Sequence, residues 1–86
     1  MSMMSKAWLR KCGSEKLNTL CFGDREGESV YEIELERIAT RQDWEHWEYH
    51  MSCKNWFTPL FRQSMLRSAN EFHGYDVRSV EKEVAV

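Results

Sequence analysis

The chain contains a single proline, Pro59, and four glycines, so few positions can break a helix or turn a strand, and those few carry most of the boundary information. It has no apolar run approaching the roughly 20 residues of a membrane-spanning helix. The opening MSMMSKAWLRKCGSEK mixes basic residues with no continuous apolar stretch of signal-peptide length. Neither secretion nor membrane insertion is expected. The three cysteines, Cys12, Cys21 and Cys53, are an odd number without paired spacing, which argues against a disulfide framework and for a reducing compartment. The cytoplasm is the expected location. Also missing are a glycine-rich phosphate loop, a G-x-S-x-G element, an internal repeat, a low-complexity tract and a linker. With no catalytic signature, the chain is expected to be neither an enzyme nor the carrier of a cofactor.

What is present describes a small globular protein. Its 86 residues, 42% apolar and 30% charged, are expected to form one domain over 1–86 with a modest core and little room for a deep pocket. The net charge of −2 hides an uneven distribution. Lys6, Arg10, Lys11 and Lys16 face only Glu15 near the start, whereas nine acids stand against three arginines between Asp24 and Glu48. Lys54, Arg62 and Arg67 then follow with no acid before Glu71. Such alternation speaks against a wholesale nucleic-acid coat, which needs a dominant basic face.

Along the chain, Ser5 to Cys12 reads as a short helix stopped by Gly13 or equally as a strand. Leu17 to Phe22 has strand composition, and the turn formers of GDREGES predict a hairpin. In the second arm, SVYEIELERI, Tyr31, Ile33 and Leu35 alternate with Glu32, Glu34 and Glu36, the period of a strand with one buried face. Thr40 offers a hydroxyl cap and Asp43 an acid in the first turn, which predicts a helix from Arg41 to Trp56. Thr58-Pro59 repeats the start signal and Gly74 supplies the stop, giving a second helix from Pro59 to His73. On that helix Phe61, Met65, Ser68 and Phe72, with Ala69 beside them, form the stripe expected to enter the core. The tail, with Val77, Val80, Val84 and Val86, is a possible final strand. The order predicts an α+β fold: a small antiparallel hairpin or sheet with two consecutive helices packed on one face.

The densest chemistry lies in DWEHWEYHMSC, Asp43 to Cys53. At about 100° per residue, Trp44, Trp47 and Met51 fall on one flank of a narrow Glu45–Glu48–Ser52–Asn55 arc. Tyr49, Cys53, Trp56 and Phe57 fall on the other, with His46 and His50 beside them. One flank suits the core. The other, read as Trp44, Trp47 and Met51, is a candidate partner-binding surface, because tryptophan, tyrosine and methionine are residues that interfaces favour. His46, His50 and Cys53 share a side at i, i+4 and i+7, yet H-W-E-Y-H places its glutamate wrongly for a metalloprotease, and neither a metal site nor a Cys53–His50 catalytic pair is expected.

Two further surfaces remain. Glu32, Glu34 and Glu36 on one strand face would stand about 6.5–7 Å apart, close to the phosphate spacing of a nucleic-acid strand, and form a second candidate partner-binding element. The polar side of the second helix, with Arg62, Gln63, Arg67 and Asn70, would suit a helix-turn-helix reading a DNA groove. The leading expectation is a non-enzymatic protein-binding module, an inhibitor or adaptor of the scale of a phage or mobile-element accessory protein. DNA binding through helix 59–73 is the alternative.

Overall fold

The structure, a computed structural model, describes residues 5–25 and 28–81. Strands β1 (Lys6–Arg10), β2 (Thr19–Arg25) and β3 (Glu28–Glu34) form an antiparallel sheet in the order β1-β2-β3. Helices α1 (Arg41–Ser52) and α2 (Pro59–His73) follow, with single 3-10 turns at Leu35–Arg37 and Val77–Ser79. This is the expected α+β arrangement. One sheet face presents Ala7 and Leu9 from β1, Leu20 and Phe22 from β2, and Tyr31 and Ile33 from β3 as facing neighbours. Leu20, Phe22 and Ile33 join Trp44 and Met51 of α1, and Phe61, Met65 and Ala69 of α2, in one buried cluster.

Local signals explain most boundaries. Thr58 Oγ1 accepts from Phe61 N at 3.2 Å, Pro59 fills the first helical position, and Gly74 closes α2 at φ 80°, a left-handed conformation that suits glycine. Within Ser5 to Cys12 the strand alternative is found over Lys6–Arg10, since pairing with β2 buries one side of Ala7 and Leu9 while satisfying the backbone. The SVYEIELERI strand ends earlier than its alternation suggests. After Glu34 the chain turns at Leu35–Arg37, and Leu35 and Ile38 are both buried. The possible C-terminal strand is not found among the described residues: Val77, fully buried, lies in a 3-10 turn capped by Asp76, and Val84 and Val86 lie outside the described residues. This segment instead returns to the start of α1, where Arg41 N donates to Val80 O at 2.7 Å and Tyr75 Oη donates to Ala39 O at 2.8 Å. The first supplies an acceptor for an N–H that the helix itself leaves unpaired.

Among the described residues no helix lies over the opposite sheet face, yet Thr19, Cys21 and Gly23 are buried there. Its own side chains cover it. Trp8 lies over Gly23, where an added Cβ would stand 3.0 Å from the indole and collide with the Glu28 carbonyl. Arg10 of β1 reaches Glu32 of β3 at 2.8 Å, spanning Cys21 on the strand between them. Ser29 also donates to that carboxylate, and the Cys21 thiol points to it at 3.9 Å. At the neighbouring turn Asn18, nine-tenths buried, acts as a surrogate backbone: its Oδ1 accepts from Cys12 N at 2.8 Å and its Nδ2 donates to Cys12 O at 2.9 Å.

Burial first, and then the Glu32 charge, push the Cys21 thiol above its ordinary pKa. A raised folded-state value means that this contribution to stability is fully present below the unfolded thiol pKa and is lost as the pH climbs through the folded one. At mildly alkaline pH, iodoacetamide should label the exposed Cys12 and Cys53 first, with Cys21 protected until the chain unfolds. Peptide mass mapping checks the order; equal labelling would contradict the covered face. Asn18→Ala should cost about 1–3 kcal/mol in urea unfolding, because it removes both hydrogen bonds that the side chain makes to the Cys12 backbone.

Candidate partner-binding face

Helix α1 opens with a reciprocal cap. Thr40 Oγ1 accepts from Asp43 N at 3.2 Å while Asp43 Oδ2 accepts from Ala39 N at 3.1 Å, and the Asp43 charge suits the positive end of the helix. The helix stops at Ser52 rather than Trp56. On a continued helix Trp56 and Phe57 would rotate to the side opposite Trp44 and Met51, and so toward solvent. The turns Lys54 N to Met51 O and Phe57 N to Lys54 O bring both rings back onto Phe22 instead, at centroid distances of 5.4 and 6.2 Å.

This settles which flank is covered. Trp44 and Met51, expected on an exposed flank, are 4% and 0% accessible and belong to the core; Trp47 is half-buried against it. A short chain fills its interior with the largest apolar side chains at hand, and these two lie on the arc facing α2 and the tail. The outward side carries Glu45, His46, Tyr49, His50, Ser52 and Cys53, with Tyr49 77% exposed.

The rings beside Tyr49 form an ordered strip running onto the sheet. His46 and His50 stack at 6.4 Å with 9° between their planes, and Trp47 stands edge-on to both. His50 Nε2 and the Tyr31 hydroxyl share a hydrogen bond of 3.0 Å. Lys54 Nζ sits 4.6 Å above the Tyr31 ring, and Tyr31 in turn meets Trp56 at 6.1 Å. The strip combines apolar area with polar edges already held in place, the character of residues that anchor interfaces.

Other candidate chemistry is not assembled. Cys53 Sγ bonds the Tyr49 carbonyl at 3.4 Å and His50 bonds Tyr31, so thiol and imidazole do not engage each other. Among the described residues no three His, Cys, Asp or Glu side chains are grouped to hold a metal ion. His73, at the far end of α2, donates from Nε2 to Leu35 O at 2.9 Å.

The acidic row is also broken. Glu32 is engaged by Arg10 and Ser29, Glu34 lies 3.5 Å from Arg37, and Glu36 sits off the strand in the 3-10 turn. On α2, Arg62 pairs with Glu48 of α1, and Asn70 Oδ1 accepts from Val77 N at 2.9 Å to hold the tail. Only Gln63 and Arg67 of the four groove-reading candidates remain uncommitted.

No protein-family model, curated protein or solved structure matches this chain. The reading of the site therefore rests on its own geometry. One signal for Tyr49 was available in the wheel, which separates it from Trp44 and Met51. Tyr31 and Lys54 join the strip through tertiary packing, for which local sequence gives no cue.

Trp44→Ala should destabilise the fold by about 3–5 kcal/mol through the cavity it leaves. Tyr49→Ser should stay within about 0.5 kcal/mol. Paired urea titrations check the difference; a harmless Trp44→Ala would return that residue to the surface.

Proposed function

We propose that the protein is a binding module without catalytic activity, an inhibitor or adaptor that works in the cytoplasm by covering a surface of another protein. Its scale suits an accessory protein of a phage or mobile element. The observation that carries this reading is Tyr49, a large ring left 77% exposed at the outer edge of the His46–His50–Tyr31–Trp56 strip. Large, rigid aromatic groups with fixed polar edges add contact area at low entropic cost, which is why a few of them dominate binding energies. The three hollows lined by described residues are open to solvent, a shape that suits a contact surface better than an enclosed small-molecule site.

The DNA-binding alternative has less support. Arg62 and Asn70 are spent on holding α1 and the tail, which leaves helix 59–73 a thin set of groove contacts. The acidic row, with Glu32 neutralised by Arg10, likewise presents no regular ladder of free charges.

The test is an affinity capture with the intact protein and with a His46→Ser/Tyr49→Ser variant whose thermal melt matches it. A partner retained by the former should be lost by the latter, by about tenfold or more in affinity. Equal retention by both proteins would remove this face from the function.

A further inference from the structure

Of the three histidines, His73 is spent on the Leu35 carbonyl, while His46 and His50 stand exposed one turn apart on α1. Residues at i and i+4 leave a helix on the same side, with Cβ atoms about 5–6 Å apart. The rings keep that spacing: their centroids are 6.4 Å apart and their planes lie within 9° of parallel. Trp47 stands edge-on to both, at 5.9 and 5.7 Å, and flanks the pair.

Each ring has a donor nitrogen to give. The His46 ring has ring contacts but no hydrogen bond among the described residues. His50 meets the Tyr31 hydroxyl through Nε2 at 3.0 Å, which leaves its Nδ1. An ion on Nδ1 makes Nε2 an N–H that donates to that hydroxyl, and a hydrogen-bonded outer nitrogen is the arrangement that orients a metal-bound imidazole. Two nitrogens at about 2.0–2.1 Å from one Zn2+ ion stand about 3–3.5 Å apart. Exposed rings with centroids 6.4 Å apart reach that spacing by turning about their side-chain bonds, with the helix unchanged. No group of three His, Cys, Asp or Glu forms among the described residues, so the pair is an open chelate and not a closed structural site.

We propose that His46 and His50 form a two-imidazole chelate on the outer face of α1 for a borderline divalent cation of the Zn2+ type. Imidazole suits zinc, copper and nickel, whereas Mg2+ and Ca2+ prefer oxygen donors. Water fills the remaining positions of the ion. The chelate does not rest on the partner reading of Tyr49: it needs only the two imidazoles, and each can fail alone.

The probe is Zn2+ alone, titrated near neutral pH into the untagged, isotope-labelled intact chain. The imidazole signals of His46 and His50 should shift together and saturate, those of His73 should stay still, and a chelator should reverse the change. Mg2+ should move none of them. His46→Asn and His50→Asn should each bind at least about tenfold more weakly, because one arm alone forfeits the chelate. A Cys12→Ser/Cys53→Ser variant, which removes both exposed thiols, should keep the response. No saturable shift at millimolar Zn2+ overturns the proposal, as does equal binding by either histidine variant or a response that disappears with the thiols. The titration of the unaltered protein locates the ion whether or not a variant folds.

Discussion

Phe22, at the middle of the central strand, meets Trp56, Phe57 and Phe61 at 5.4, 6.2 and 5.3 Å, and this contact fixes where both helices sit on the sheet. The rings come from the turn after α1 and the first turn of α2, so the connection between the helices is anchored directly to the central strand. Each such pair adds about 0.5–1.5 kcal/mol beyond simple burial, and Trp56 also meets Phe61 at 6.1 Å. The early end of α1 follows from the same contact. Four more helical residues would gain backbone hydrogen bonds but turn two large rings to water, and the rings decide.

The sheet then meets a second constraint: it has two faces, and both helices lie on one. The other is closed by three strands acting on themselves, through the Trp8 indole over Gly23 and the Arg10–Glu32 pair across Cys21. Glu32 is consequently a covering group, and its charge is spent within the fold. The same economy applies on α2, where Arg62 and Asn70 secure neighbouring elements. Among the described residues, the large apolar side chains left at the surface include Tyr49 beside its strip, Leu60 at the start of α2 and Val30 on β3.

Much of the architecture was legible in the residues because it is written locally. Thr58-Pro59 and Gly74 bound α2, Thr40 and Asp43 start α1, and the alternation from Tyr31 to Ile33 marks β3. What local pattern conveyed poorly were choices settled by distant partners. Leu35 continues the alternation yet leaves the strand, because the turn there carries it and Ile38 inward and lets Leu35 N reach Asn18 O at 2.9 Å. Asn18 itself gave no sign of its role, since its partner amides lie across a turn. The helical wheel separated Tyr49 from Trp44 and Met51 but grouped Trp56 and Phe57 with Tyr49, whereas the helix ends at Ser52 and both rings fold back onto Phe22; the choice of the covered flank depended on the core cluster shared with α2 and on a tail that returns to Arg41.

Two imidazoles described above sit in chemically unequal contacts. His73 donates to the Leu35 carbonyl, which can only accept, so this bond has a single direction. His50 faces the Tyr31 hydroxyl, which can donate or accept, so that bond can run either way. The contact that ties α2 to the turn after β3 is thus directional, whereas the one in the exposed aromatic strip is reversible, and a polar group brought against His50 or Tyr31 can select its sense without disturbing the scaffold.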